Sequence, residues 1–378
     1  MSRFDLFNKT ASGFVVTDAR PSPAFLPTPL PLNTMNPVTE FTDVPGNWPL
    51  IPWPRGPLSA AVIDALARAP GTLGAMPAIE VNDALTDDDL HLALYLCYEV
   101  HYRELTANDW EWDTDLLNFR ARLEEAFAAR LTQEVSLHHL RNPFDVTTAL
   151  DHLLVAASPS AMANHFLSHG TLDQMRELCV HQSASQLREG DPRAFAISRL
   201  SGVAKAALIE VQFDDAARIA GGTRASMFAT TMEALGLDPS YGSYIEMLPG
   251  VTLAGVNLVS MFALHRKWLG ALIGHVAIHE VAALEPMRHY DLALERFGVD
   301  ATARRFYGGH SENDPHDISG ARSRMVSGLL GTEPEMGAQI LFGAAAMLLL
   351  EEHFTHHVLG AWEGGRSSLA PWEMISTM

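Results

Sequence analysis

Cysteine is nearly absent: Cys97 and Cys179 are the only two in 378 residues. Two thiols cannot make a disulfide framework, and both sit in apolar helical patterns where a free thiol behaves as a small hydrophobe. A cytoplasmic address is the expectation. Basic residues are also scarce, 26 Lys and Arg against 45 Asp and Glu, for a formal net charge of −19. Such a surface repels a phosphate backbone or an anionic membrane, so neither is expected as the main partner. The most apolar runs, Leu341 to Leu350 and Val251 to Leu264, are too short to cross about 30 Å of hydrocarbon as helices. No secretion signal is expected, because MSRFDLFNKTASGFVV breaks the apolar stretch that one needs. Alternating β-branched runs are missing, which argues against strands. So are the GxGxxG, Walker, HExxH and GxSxG motifs, and with them the usual signatures of nucleotide, zinc-protease and serine-hydrolase chemistry.

What remains is an all-α pattern. Hydrophobic residues make up 47% of the chain, enough for a substantial core. Prolines crowd the stretch from Pro21 to Pro57, and each removes an N–H and fixes φ, so residues 1–80 are expected to form an extended arm. The apolar Phe25, Leu26, Trp48 and Trp53 suit packing on the body or on a second subunit. Beyond residue 80, three- and four-residue spacing predicts helices, beginning with an acidic start at Thr86 to Asp89 and continuing near 114–131, 171–188, 193–218, 223–235, 250–285, 310–330 and 335–360. The break at Gly190 to Pro192 places a boundary between an N-terminal helical region, 81–190, and a helical bundle, 191–378.

Three of these segments carry acids at unusual places. Glu210 and Asp214, four apart, share a face in KAALIEVQFDD; Glu280 follows His279 in HVAIHEVAAL, with His275 a turn earlier; and HSENDPHD offers His310, Asp314, His316 and Asp317. A carboxylate inside an apolar helix needs a partner. Hard carboxylate oxygens with imidazole nitrogens suit iron or manganese, and helical bundles assemble di-iron sites from such single carboxylates and carboxylate–His pairs on facing helices. The bland readings are a solvated helix edge at Glu210 and Asp214, neutral core histidines at His275 and His279, and a polar helix cap at HSENDPHD. EEHFTHH offers a rival face through Glu352 with His356 and His353 with His357, for which a supporting or substrate-facing role is expected. Glu99 reads as half of a structural ion pair, and Glu189 as a further candidate acid.

Taken together, LHLALYLCYEVHYRELTANDWEWD, REGDPRAFAISRLSGVAKAALIEVQFDD, the stretch from LDPSYGSYIEM to LIGHVAIHE, and FYGGHSENDPHD resemble the iron-containing redox enzymes of the heme-oxygenase-like di-iron oxidase superfamily. The resemblance runs from about residue 86 to the C-terminus. It implies a heme-oxygenase-like bundle that binds two Fe(II) ions and uses O2 to oxidise a small amine, amino acid or fatty-acid-like substrate. The metal ligands it implies are Glu210, Glu280, and His310 with Asp314. Two positions depart from the family pattern. Asp317, beside His316, stands where a His is usual, and Ala217 stands where a His or Glu is common, which leaves Asp214 as the nearest substitute. The alternatives are a metal-free hydrolase on the same bundle, which would need a nucleophilic Cys, and a non-catalytic binding or dimerisation module. A homodimer through the helices before residue 190 is expected by analogy.

Overall fold

The computed structural model describes residues 51–71, 74–102, 108–135, 145–157, 161–217, 223–311 and 315–370, with the side chains of 108, 213–217, 310–311 and 315–319 left outside the description. The chain divides into residues 1–46, none of them described, and a compact unit of residues 47–378. Among the described residues the secondary structure is entirely helical. No described helix is long and apolar enough to cross a membrane.

The expected extended arm gives way to a helix before residue 80. Helix α1, Pro57–Leu66, starts with proline in its first turn, where the missing N–H costs nothing. Its cap comes from elsewhere: Asp89 accepts from Leu58 N at 2.8 Å and Ser59 N at 2.7 Å. Gly56 is needed at this joint because a Cβ there would lie 2.5 Å from Asp89 Oδ2. Helix α2, Asp88–Glu99, is capped by Asp87, one residue past the Thr86 that opens the acidic run, and Leu90 through Glu99 are all buried.

Helix α3 covers Thr114–Glu134, α4 Val146–Ala156, α5 Ala161–Ser168 and α6 Leu172–Gln186, the last with a Thr171/Gln174 capping box. The expected helix at 193–218 is two, α7 Gly190–Ile197 and α8 Gly202–Ala217, because the chain turns at Gly202 with φ +55°. Helix α9 is Arg224–Ala234. The expected helix at 250–285 is also two, α10 Gly250–Leu264 and α11 Leu269–Ala282. Arg199 ends α10 by binding the carbonyls of Ala263 and Leu264, while His265 is drawn to Glu124 at 2.8 Å. A positive-φ glycine makes the first break and long-range side-chain partners mark the second, and periodicity alone registers neither. The remaining helices are α12 Leu284–Arg296, α13 Arg305–Ser311, α14 Pro315–Thr332 and α15 Gly337–Glu363.

Three pairings organise the bundle. Helix α2 is stitched to α10 through Asn257, whose amide donates to His91 O at 2.8 Å. Helices α11 and α15 cross at their glycines: a Cβ on Gly274 would collide with Ile340 O, and one on Gly343 with Ala271 O. Helices α8 and α14 run antiparallel, since Gly328 meets Ala204 and Arg324 reaches Glu210. That register brings the C-terminal end of α8 beside the N-terminal end of α14.

Candidate metal centre

Helix ends converge at one place in the bundle. Gln212, near the end of α8, donates to Gly190 O at 2.8 Å, which ties α8 to the start of α7. The residue before Gly190 is Glu189, and its carboxylate sits among Arg193 of α7 at 3.1 Å, Arg224 of α9 at 3.2 Å and His279 of α11 at 3.5 Å. Arg193 also reaches Glu280 of α11 at 2.8 Å. From these contacts and the α8/α14 register, the backbones at 214–217 and 315–317 belong to this same end of the bundle.

The electrostatics of the cluster are set by burial. Burial alone would raise the Glu189 carboxyl, but Arg224, Arg193 and His279 overcome it and hold the group well below its ordinary value, as a carboxylate. His275 is held well below its ordinary value, first by burial and then by its neighbours His279 and Arg193, so its imidazole is neutral. Its ring stacks on His279 with centroids 5.9 Å apart, and its Nδ1 is buried without a hydrogen-bond partner among the described residues. Glu351 of α15 has two characters. Its side chain keeps accessible surface, yet burial raises its carboxyl above the ordinary value, with His279 opposing.

The sequence-predicted residues fare differently. Glu280 lies inside this cluster, its side chain 12% exposed. Glu210 does not: it is 52% exposed and pairs with Arg324 at 2.7 Å, so the apolar run around it turns this position outward. The side chains of Asp214, His310, His316 and Asp317, and all of Asp314, lie outside the described residues. Helix α13 ends at Ser311 and α14 begins at Pro315, so proline opens a helix here. Among the described residues no three His, Cys, Asp or Glu side chains are placed to hold a metal ion together.

Of the rival groups, Glu99 is half of a buried ion pair with Arg188 at 2.8 Å, as expected. His357 bonds the carbonyl of Ser368 at 2.7 Å, and Glu352 and His356 face outward, so EEHFTHH offers no closed metal face. Three participants were missed from the sequence: Arg193, Arg224 and Glu351. Arg193 had a signal, standing four residues after Glu189 on one helix face. Arg224 and Glu351 had none beyond lying in helices that fold back on the site.

The donor chemistry fits iron. Beside Arg193 and Arg224, the described side chains at this end are carboxylates and imidazoles, one imidazole being buried with a nitrogen unpaired among the described residues, and no thiolate is available. Both cysteines are buried and their thiols pushed up to about 12 by burial, which keeps them protonated and unreactive.

Residues 176–352 match the model of a family described as iron-containing redox enzyme. The match opens in α6 and closes in α15, so it contains Glu189, Arg193, Glu280 and Glu351 together with every predicted ligand. The likeness expected from the ordered motifs is thus present over this segment, on an all-α framework. No curated protein matches the chain.

Proposed function

We propose that the protein is a non-heme, iron-dependent oxidase or oxygenase that uses O2 to oxidise a small amine, amino acid or fatty-acid-like substrate. The observation that carries the reading is the contact between α7 and α11 at Glu280, with the end of α8 tied to the start of α7, within the segment that matches the iron-containing redox family. The iron would be held by Glu280 with ligands from Glu210, Asp214, His310, Asp314, His316 and Asp317, and two ions are the preferred count. When bound, iron supplies the electrons and the open coordination positions that O2 chemistry needs. The chain's own residues set the surroundings. Glu189 keeps Arg193 and Arg224 in place, the neutral His275 can bind or orient a polar group through Nδ1, and Glu351, with its raised carboxyl, can hold a proton beside His279. The apolar faces of α11 and α15 exclude bulk water behind them. For Glu210 to serve as a ligand it must leave Arg324 and turn inward. A cytoplasmic homodimer through the helices before residue 190 belongs to the same reading.

The test is anaerobic Fe(II) titration followed by admission of air. Wild type should bind iron stoichiometrically and then consume O2 with a transient absorbance, while Glu280→Ala should do neither. Equal behaviour of the two, with no bound iron, rejects the proposal. A second reading, a metal-free binding module, draws on the arginines that already neutralise Glu280 and Glu210. It predicts no iron in protein grown with ample iron. The hydrolase alternative loses its footing, since neither buried thiol can act as nucleophile.

A further inference from the structure

Glu189 and Glu280 are two carboxylates with little access to water, and one guanidinium spans both: Arg193 Nη1 lies 2.8 Å from Glu280 and Nη2 3.1 Å from Glu189. Arg224 adds a second cation on Glu189 at 3.2 Å. Among the described residues, these two carboxylates face two guanidiniums, with His279 beside Glu189 at 3.5 Å. Buried carboxylates require such compensation, and leaving one unpaired is costly. A divalent cation on Glu280 would bring two further positive charges next to Arg193. A guanidinium cannot lose its proton to relieve the repulsion, as a histidine or lysine can. It can only let go. Arg193 has a place to retreat to, because Glu189 stands four residues earlier on the same helical face and already holds its other nitrogen.

We propose that Arg193 is a built-in counter-cation for Glu280 that a divalent metal must displace, so that Arg193 sets the metal affinity of the site; this rests on the iron reading above. The arrangement keeps Glu280 oriented in the metal-free protein and raises the concentration of metal needed to fill it. Arg193 is therefore a positioning residue, acting through Glu280. Glu189 is its resting anion, and Arg224 keeps that anion in place when Arg193 swings away.

Full-length wild type, Arg193→Gln, Arg193→Lys, Glu280→Gln and the Arg193→Gln/Glu280→Gln double variant would be titrated with Mn(II), counting free ion by electron paramagnetic resonance. Circular dichroism reports whether each variant is folded. Arg193→Gln should bind Mn(II) about ten- to a hundred-fold more tightly than wild type, the size expected for one charged hydrogen bond. Arg193→Lys should fall between the two, because one ammonium cannot span both carboxylates, and it carries the test if the glutamine variant does not fold. Glu280→Gln should lose at least about tenfold, and Arg193→Gln should give no gain in that background. Wild-type or weaker affinity in a folded Arg193 variant, with Glu280→Gln still impaired, overturns the displacement while leaving the iron reading intact. A gain in the Glu280→Gln background overturns it too, since the arginine would then act as a general charge. If none of the five proteins binds Mn(II) or Fe(II), the iron reading fails and this inference with it.

Discussion

Arg188 and Glu189 are neighbours in the chain, yet they serve two acid–base groups of opposite character. Arg188 points into a closed compartment with Glu99, where the ion pair at 2.8 Å lacks the alignment of a hydrogen bond and the guanidinium lies 4.6 Å from the Tyr102 ring centroid. Tyr95 and Tyr241, hydroxyls 2.8 Å apart, complete the wall. Burial disfavours the charge on Arg188, and Glu99 with the tyrosines overcomes it. Glu189 faces the other way, into a group of two arginines and a histidine that also reaches Glu280 and adjoins the accessible Glu351. The first pair is closed in by a ring of aromatics. The second shares its partners, touches solvent and, among the described residues, leaves one imidazole nitrogen without a hydrogen bond. A buried ion pair is therefore not by itself a sign of function; shared partners, a spare donor and access to solvent distinguish the candidate centre from the structural one.

The largest break of this comparison is Arg188→Met. Removing one half of a dry pair takes the compensating cation from Glu99 and should cost about 3–5 kcal/mol in urea unfolding. Arg188→Met with Glu99→Gln should recover part of that loss, because no buried charge remains unpaired. If Arg188→Met is neutral, the compartment is not closed. Next in size is Gly274→Ala. Its methyl would collide with the Ile340 carbonyl and push α15 off α11, at a cost of about 2–3 kcal/mol with a displaced Glu351. An unchanged melting temperature there would contradict the close crossing.

Glu189→Gln sharpens the comparison through pH. The folded Glu189 carboxyl lies well below its ordinary value of 4.5, so its contribution is fully present above the unfolded value and is lost as pH falls toward the folded one. Glu189→Gln should cost about 2 kcal/mol at pH 7, and the gap to wild type should hold steady above pH ~5 and shrink below ~4.5. A gap that grows on acidification would contradict the assigned sign. The smallest effect is expected at a site remote from both groups. Ser368 accepts from His181 Nε2 or donates to it at 2.9 Å and is held by Glu177, fastening the chain after α15 to α6. Ser368→Ala should cost about 1 kcal/mol, with metal binding unchanged.

Helix content, the acidic start of α2 and the buried Glu99 pair were legible in the sequence, because each rests on local spacing or on the cost of an isolated buried charge, whereas the helix expected over 310–330 is divided, with Ser311 ending one helix and Pro315 opening the next. The break at His265 was not legible, since Arg199 and Glu124 reach it from distant parts of the chain, and neither was the positive-φ turn at Gly202. Glu280 was legible for the same reason as Glu99, an acid in an apolar helix. Glu210 looked alike in sequence but faces out to Arg324, because α8 is covered on one side only and periodicity does not say which. Arg193 shows the opposite case. An arginine in a helix reads as surface, and only the fold puts it between two carboxylates.

The central claim is that iron sits on oxygen and nitrogen ligands around Glu280. Iron K-edge X-ray absorption on Fe(II)-loaded wild type and Glu280→Gln tests it most directly. The account predicts a first shell of oxygen and nitrogen alone in wild type, with the bound iron lost or sharply reduced in Glu280→Gln. Sulfur in the first shell, or equal iron with an identical spectrum in both proteins, would contradict it.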